Sequence, residues 1–219
     1  MKVLVACEES QRVCTAFRER GHEAYSCDIQ PCSGGHPEWH IIGDCIPILN
    51  GNCFIFTESG DFHVIPGEWD LLIAHPPCTY LSNAGACRLY PKAGVIDEDR
   101  KKKGDQRKEF FMRIYNAACK RICIENPLPS KIFELPPCSQ IIQPYFFGDP
   151  YSKKTLLWLK NLPPLFSTDI CGSFEPFVPS GTSKNAGQGK RNGVAKTARE
   201  RSITFPGIAR AMAEQWGNI

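Results

Sequence analysis

Hydrophobic and polar positions alternate along the chain as short buried runs, each broken by a polar turn and followed by a longer amphipathic stretch. The run 2–6, Lys-Val-Leu-Val-Ala, predicts a first strand. A polar turn follows at 7–10, and then a helix over 11–20 whose apolar face is Val13, Ala16 and Phe17 and whose stop is Gly21. Residues 24–28 predict a second strand ending in Asp28, and 40–44 a third short strand ending in Asp44. The runs 54–57 and 62–65, separated by Glu-Ser-Gly-Asp, predict an inserted hairpin, and 70–74 a fourth sheet strand. Residues 105–120 read as an amphipathic helix delivering the chain into a fifth strand at 121–125. The Pro-rich stretch 128–144 holds at most a short helix, 155–159 is a further strand, and a helix over 205–216 closes the chain behind Pro206. The fold class is therefore α/β, a Rossmann-like, mostly parallel twisted sheet flanked by helices.

With 219 residues and 42% hydrophobic content, the chain reads as one domain over 1–219. Residues 79–104 are too long and polar for a plain connection and predict a lid loop. From 167 to 204 the composition shifts to Gly, Ser, Lys and Arg, which predicts a basic loop region able to contact nucleic acid. No apolar run approaches the roughly 18 residues of a membrane span, and the start of the chain lacks a signal-peptide core, so no membrane partner and a cytoplasmic location are expected. Twelve cysteines occur, several of them inside apolar runs, which fits reduced thiols acting as small hydrophobes. Cys27, Cys32, His36, His40 and Cys45 fall close together, but without any Cys-x-x-Cys they read better as a strand end and a Gly/Pro turn than as a metal site. The net charge of +3 says little, whereas the clusters 100–108 and 184–201 concentrate positive charge and suit phosphates.

The chemistry-bearing residues sit where strands end. Cys78 follows the fourth sheet strand through His75-Pro76-Pro77, and Glu125 ends the fifth, followed by Asn126 and Pro127. A thiolate that adds to C6 of a pyrimidine and a carboxyl group that protonates N3 would together make C5 nucleophilic. Asp28, after the second strand, is where nucleotide-type cofactors have their ribose hydroxyls held.

The opening Ala6-Cys7-Glu8-Glu9-Ser10, the segment Cys-Ser-Gly-Gly-His-Pro-Glu-Trp-His at 32–40, His-Pro-Pro-Cys-Thr-Tyr-Leu-Ser-Asn-Ala-Gly at 75–85 and the closing Phe-Pro-Gly-Ile-Ala-Arg-Ala-Met-Ala-Glu-Gln-Trp-Gly at 205–217 carry a resemblance. The chain resembles the cytosine-5 DNA methyltransferases of short phage and prophage type. The resemblance implies transfer of a methyl group from S-adenosylmethionine to C5 of a cytosine flipped out of double-stranded DNA, in bacterial or phage-infected cytoplasm. It implies Cys78 as nucleophile, its thiol activated by turn amides and cations, and Glu125 as the N3 acid. Lys154 would stand in for an arginine that contacts the base, with Lys153, Pro77 and Asn126 also at the substrate and Asn126 fixing the turn. On the cofactor side it implies Ala6, Cys7, Glu8, Ser10, Asp28, Ile29, Asp44, Cys45 and Pro76, with Ile29 packed on the adenine and Asp44 accepting from its amino group. The first turn lacks the family's glycines, and Ser10 with amides at the helix start would take the cofactor carboxylate. So little chain remains for reading sequence that relaxed specificity or a helper specificity subunit follows. Two other readings compete: an amino-group (N4/N6) DNA methyltransferase, whose Asp-Pro-Pro-Tyr motif is similar to His75-Pro-Pro-Cys78, and a non-catalytic nucleic-acid-binding or regulatory protein on the same fold.

Overall fold

The computed structural model describes residues 1–178, 193–195 and 197–219. Of the cations expected at a nucleic acid, Lys184, Lys190, Arg191 and Lys196 lie outside the described residues. In chain order the elements are β1 (Lys2–Ala6), α1 (Arg12–Arg18), β2 (Glu23–Asp28), β3 (His40–Ile42), β4 (Cys53–Phe56), β5 (Phe62–Ile65), β6 (Leu71–Ala74), α2 (Ala86–Leu89), α3 (Glu98–Tyr115), β7 (Ile122–Asn126), β8 (Gln140–Ile142), β9 (Tyr151–Ser152), β10 (Thr155–Lys160), β11 (Glu175–Pro176), α4 (Ala198–Ser202) and α5 (Pro206–Trp216).

Seven strands form one sheet in the order β3-β2-β1-β6-β7-β10-β8. The pairs from β3 to β7 are parallel, and β10 runs antiparallel to both β7 and β8. A parallel sheet is covered on both faces, so its strands must be apolar at every position rather than at alternate ones. That is why β1 and β6 are continuous apolar runs. Val3, Val5, Leu71 and Ile73 point into a core shared with Phe17 of α1 and Met212 and Trp216 of α5. Leu4, Leu72 and Ala74 point the other way, into a core with Phe111 and Ile114 of α3 and with Trp69 and Trp158. The expected α/β architecture is the one observed, including the hairpin, in which β4 and β5 pair antiparallel.

Three expectations are corrected. The amphipathic helix begins at Glu98 rather than 105 and ends at Tyr115 rather than 120. The Asp97 side chain caps it by accepting from the Arg100 amide at 2.9 Å, and Glu98 and Asp99 complement the dipole in the first turn. The segment 79–104 is accordingly not one long loop, because it contains α2 and the first two turns of α3. The Pro-rich stretch after β7 holds β8 as well as a single 3-10 turn at Lys131–Phe133.

The order of strands across the sheet reverses between β1 and β6: from β1 it leads to β2 and β3 on one side and to β6 and β7 on the other. The carboxyl ends of β1 and β6, at Ala6 and Ala74, therefore flank a crevice of the kind in which open α/β sheets bind ligands. Because β10 is antiparallel to β7, the residues that precede β10 arrive at this same edge.

Candidate active site

Register assembles the site. Ala74 pairs with Ile124, so His75, the first residue beyond β6, meets Glu125, which is still paired to Leu157 of β10 near the end of β7. Their side chains form an ion pair, Nδ1 to Oε2 at 3.0 Å, with only 11% and 10% of each exposed. Burial opposes ionisation of Glu125, but the hydrogen bond and charge of His75, the charge of Lys153 and a hydrogen bond donated by Thr204 Oγ1 at 3.3 Å outweigh it. They hold the carboxyl down at about 2. Burial likewise works against a charged His75, yet Glu125 and the nearby carboxylate of Glu8 raise its pKa above the usual value.

Cys78 lies one turn further on, half-buried, in a turn where its carbonyl accepts from the amides of Leu81 and Ser82 at 3.1 and 2.9 Å. The expectation of an activated thiol is corrected here. Burial pushes the Cys78 thiol up and the negative charge of Glu125 adds to this, while Lys153 and Arg201 pull the other way without prevailing. Lys153, whose ammonium stands 5.7 Å from the Phe205 ring, acts on Cys78, His75 and Glu125 alike. Lys154 beside it is exposed.

The turns after β6 and β7 are joined. Asn126, buried, donates its side-chain amide to the Pro76 carbonyl at 3.0 Å. The Asn83 amide donates to the Leu128 carbonyl at 2.8 Å, and the Ser130 amide to the Leu81 carbonyl at 2.7 Å. Pro76 is buried in this junction and Pro77 is exposed beside it. Tyr80, two residues past Cys78, lies under the cations of α3, with the Arg100 guanidinium 5.0 Å and the Lys103 ammonium 5.7 Å from its ring.

The first turn runs without glycine at a visible cost. Cys7 and Gln11 take φ values of 60° and 57°, a region that favours glycine. Gln11 is held there by bonds from its amide to the His36 carbonyl at 2.9 Å and to Ser26 at 3.2 Å, while its own oxygen accepts from the His36 amide at 3.1 Å. The close approach comes from the partner segment instead, since a Cβ on Gly34 would stand 2.5 Å from Gln11 Cβ. Glu8, 4% exposed, turns inward and accepts from the Val13 and Cys14 amides at 2.6 and 3.1 Å. Burial pushes its carboxyl up to about 7 against those amides and His75. Those amides of α1 thus already hold a carboxylate of the chain itself. Ser10 borders a cleft between α1 and α5 that also includes Arg12, Arg20 and Arg210.

At the ends of β2 and β3 the picture is open. Asp28 is half-buried and accepts from the Gln30 amide at 3.0 Å; Ile29 next to it is 76% exposed; Asp44 is exposed and accepts from the Ile46 amide at 3.0 Å. An apolar side chain bared beside a carboxylate suits the face and ribose of a nucleoside. Ala6 is buried at the end of β1, and the Cys7 thiol is hydrogen-bonded to the buried Cys45 thiol. The Cys/His stretch 27–45 is drawn apart by other partners. His40 is bonded to Ser26 and to the Gln30 carbonyl, His36 stacks on Trp39 at 3.8 Å, and among the described residues no three His, Cys, Asp or Glu side chains could hold a metal ion.

Sequence reasoning missed His75, Thr204, Arg201 and the inward turn of Glu8. The last segment before α5 crosses this edge of the sheet, where Arg199 also bonds Glu9 at 3.1 Å.

No known family profile and no curated protein matches the chain. Among solved structures, it is similar to a protein described as a "putative DNA modification methyltransferase encoded within prophage" of Escherichia coli, at a TM-score of 0.42 and 12% identity, with 78% of this chain and 52% of that one covered. The chain spans about half the length of that protein.

Proposed function

We infer that the chain is an S-adenosylmethionine-dependent DNA methyltransferase that methylates C5 of cytosine. The observation that carries this reading is the meeting of a half-buried thiol, Cys78, and a buried carboxylate, Glu125, at the carboxyl edge of adjacent parallel strands, with Lys153 acting on both. Few reactions need a soft nucleophile and a carboxyl group at one site, and addition across the C5–C6 bond of a pyrimidine is one that does.

In this reading the base, flipped from the duplex, docks between Cys78 and Glu125. The Cys78 sulfur bonds C6, the C5–C6 electron pair passes toward N3, and Glu125 mediates protonation of N3. Lys153, rather than Lys154, is the cation that acts on the thiol, and it draws the raised Cys78 pKa downward. S-adenosylmethionine, when bound, supplies the electrophilic methyl group that C5 takes. Asp28, Ile29 and Asp44 fit its nucleoside half, whereas the Val13 and Cys14 amides are engaged by Glu8 and do not fit its carboxylate. Loss of the C5 proton and of the thiolate then restores the ring and frees Cys78. Tyr80 with Arg100 and Lys103 forms an aromatic and basic strip suited to a nucleic-acid strand, and α2, which follows the anchored turn, would close over the base.

Incubation with methyl-labelled cofactor and DNA is expected to label C5 of cytosine, read by nucleoside mass spectrometry, and Cys78→Ser to abolish it. Label on an exocyclic amine, or equal labelling by the variant, would overturn this reading in favour of amino-group transfer. A second reading, a non-catalytic nucleic-acid-binding protein on this fold, is favoured by Glu8, which occupies α1 amides that a cofactor carboxylate could use. Calorimetry with S-adenosylmethionine separates the two, since no heat at millimolar cofactor supports the second.

A further inference from the structure

The resting charge state of the site is the reverse of what its chemistry needs. Glu125 must have a proton to give, yet the structure holds it as a carboxylate, and the proton sits on the residue beside it. His75 Nδ1 faces Glu125 Oε2 at 3.0 Å. Its other ring nitrogen, Nε2, is fully buried and finds no hydrogen-bond partner among the described residues. A ring nitrogen without an acceptor does not fix the tautomer by itself, so the Glu125 contact decides where the proton lies. The charged groups acting on this imidazole are Glu125 at the end of β7, Glu8 in the turn before α1 and Lys153 before β10. The Glu125 carboxylate in direct contact, joined by Glu8 once that residue ionises, outweighs the ammonium of Lys153 and favours imidazolium at a largely buried position.

We propose that His75 is a positioning residue and proton reservoir for Glu125: in the free protein its imidazolium keeps Glu125 ionised and aimed, and during addition it passes the Nδ1 proton through Glu125 to the ring nitrogen of the bound pyrimidine. This rests on the cytosine-5 reading above. The balance is closed. Cys78 gives its thiol proton to solvent and its electron pair to C6; the ring gains one negative charge; His75 loses one proton, Glu125 relays it, and N3 gains it. Neutral His75 and ionised Glu125 remain. Once C5 has taken the methyl group that the cofactor would supply, the C5 proton leaves to solvent, the C6–S bond breaks with its electron pair returning to sulfur, which regains a proton from solvent, and the N3 proton returns to His75 by the same path.

Charge transfer of this kind differs from simple hydrogen bonding, and His75→Asn separates them. An asparagine amide can donate to Glu125 from nearly the position of Nδ1, but it carries no transferable proton. Two readouts decide. The first is the titration of the His75 imidazole by nitrogen NMR in the free protein. Protonation persisting above pH 6.5 in the wild type, and falling below it in Glu125→Gln, is expected; a wild-type titration at or below 6.5 overturns the reservoir. The second is the rate of covalent adduct formation between Cys78 and a 5-fluorocytosine oligonucleotide in the presence of cofactor. His75→Asn is expected to slow it on the order of a hundredfold, to remove the pH dependence assigned to His75, and to change oligonucleotide affinity by less than about threefold. Adducts formed by His75→Asn at the wild-type rate and pH profile overturn the relay while leaving the cytosine-5 reading standing. No adduct with the wild type at any pH overturns both.

Discussion

Glu8 makes the sharpest physical test of this site, because its carboxylate is buried against α1 and its contribution to stability must change sign across a narrow pH range. Folding takes its pKa from 4.5 to about 7, with burial as the leading cause. The native state therefore holds this proton more tightly than the unfolded chain does. The stabilisation is fully present below about 4.5 and is lost as pH rises through about 7. The difference corresponds to about 3 kcal/mol between acid and alkaline limits. Glu8→Gln keeps shape and one acceptor for the Val13 amide but cannot ionise, and its NH2 faces the Cys14 amide, costing about 1 kcal/mol at every pH. Urea unfolding across a pH series should then find the variant about 1 kcal/mol less stable than wild type near pH 4 and about 2 kcal/mol more stable near pH 8. Subtraction removes groups that titrate equally in both proteins, including most of the Glu125 contribution. A stability difference constant to about 0.5 kcal/mol over that range would refute the argument that Glu8 is a strained, buried acid.

Two further outcomes concern the scaffold. Gly104 lies in α3 where an added Cβ would stand 2.1 Å from the buried ring of Phe133; Gly104→Ala should cost about 1–2 kcal/mol in urea unfolding, overpacking outweighing the gain in helix propensity, and a stabilised variant would contradict the packing. Asn126→Ala removes the amide that holds the Pro76 carbonyl and leaves a buried acceptor unpaired, so a loss of about 1–3 kcal/mol is expected; a loss under about 0.5 kcal/mol would mean that the junction does not depend on it.

The strands that position the site were legible because a doubly covered parallel sheet writes itself as continuous apolar runs, and β1, β6 and β7 are such runs closed by polar turns. The closing helix announced itself through Pro206. Helix α3 was misplaced because its first two turns carry Arg100, Lys101, Lys102 and Lys103, which look like a solvated loop; the Asp97 cap and the acids at Glu98 and Asp99 were the signals that locate its start. Strand β8, three residues long in a Pro-rich stretch, exists only because β10 pairs with it. Cys78 and Glu125 could be found from local sequence, each at a strand end. Their electrostatics could not, because His75 meets Glu125 through the β6–β7 register, Lys153 arrives through an antiparallel turn, and Thr204 and Arg201 come from the far end of the chain. The expectation of an activated thiol failed because burial, which local sequence does not reveal, raises the Cys78 pKa, and Glu125, the carboxylate that sequence had named as its partner, adds to it against Lys153 and Arg201.

The bonds that join the turn after β6 to the turn after β7 have a thermodynamic consequence. Asn126 to Pro76, Asn83 to Leu128 and Ser130 to Leu81 make the two turns a single rigid bracket, with Cys78 on one arm and Glu125 on the other. Freezing mobile side chains and loops normally costs about 0.5–1.5 kcal/mol for each rotamer-rich side chain when a ligand binds. Here that ordering is complete before any ligand arrives. Affinity for a base should consequently report the contacts it makes rather than the assembly of its receptor, and a reduced base analogue lacking the sugar and phosphates should still meet both arms already in place.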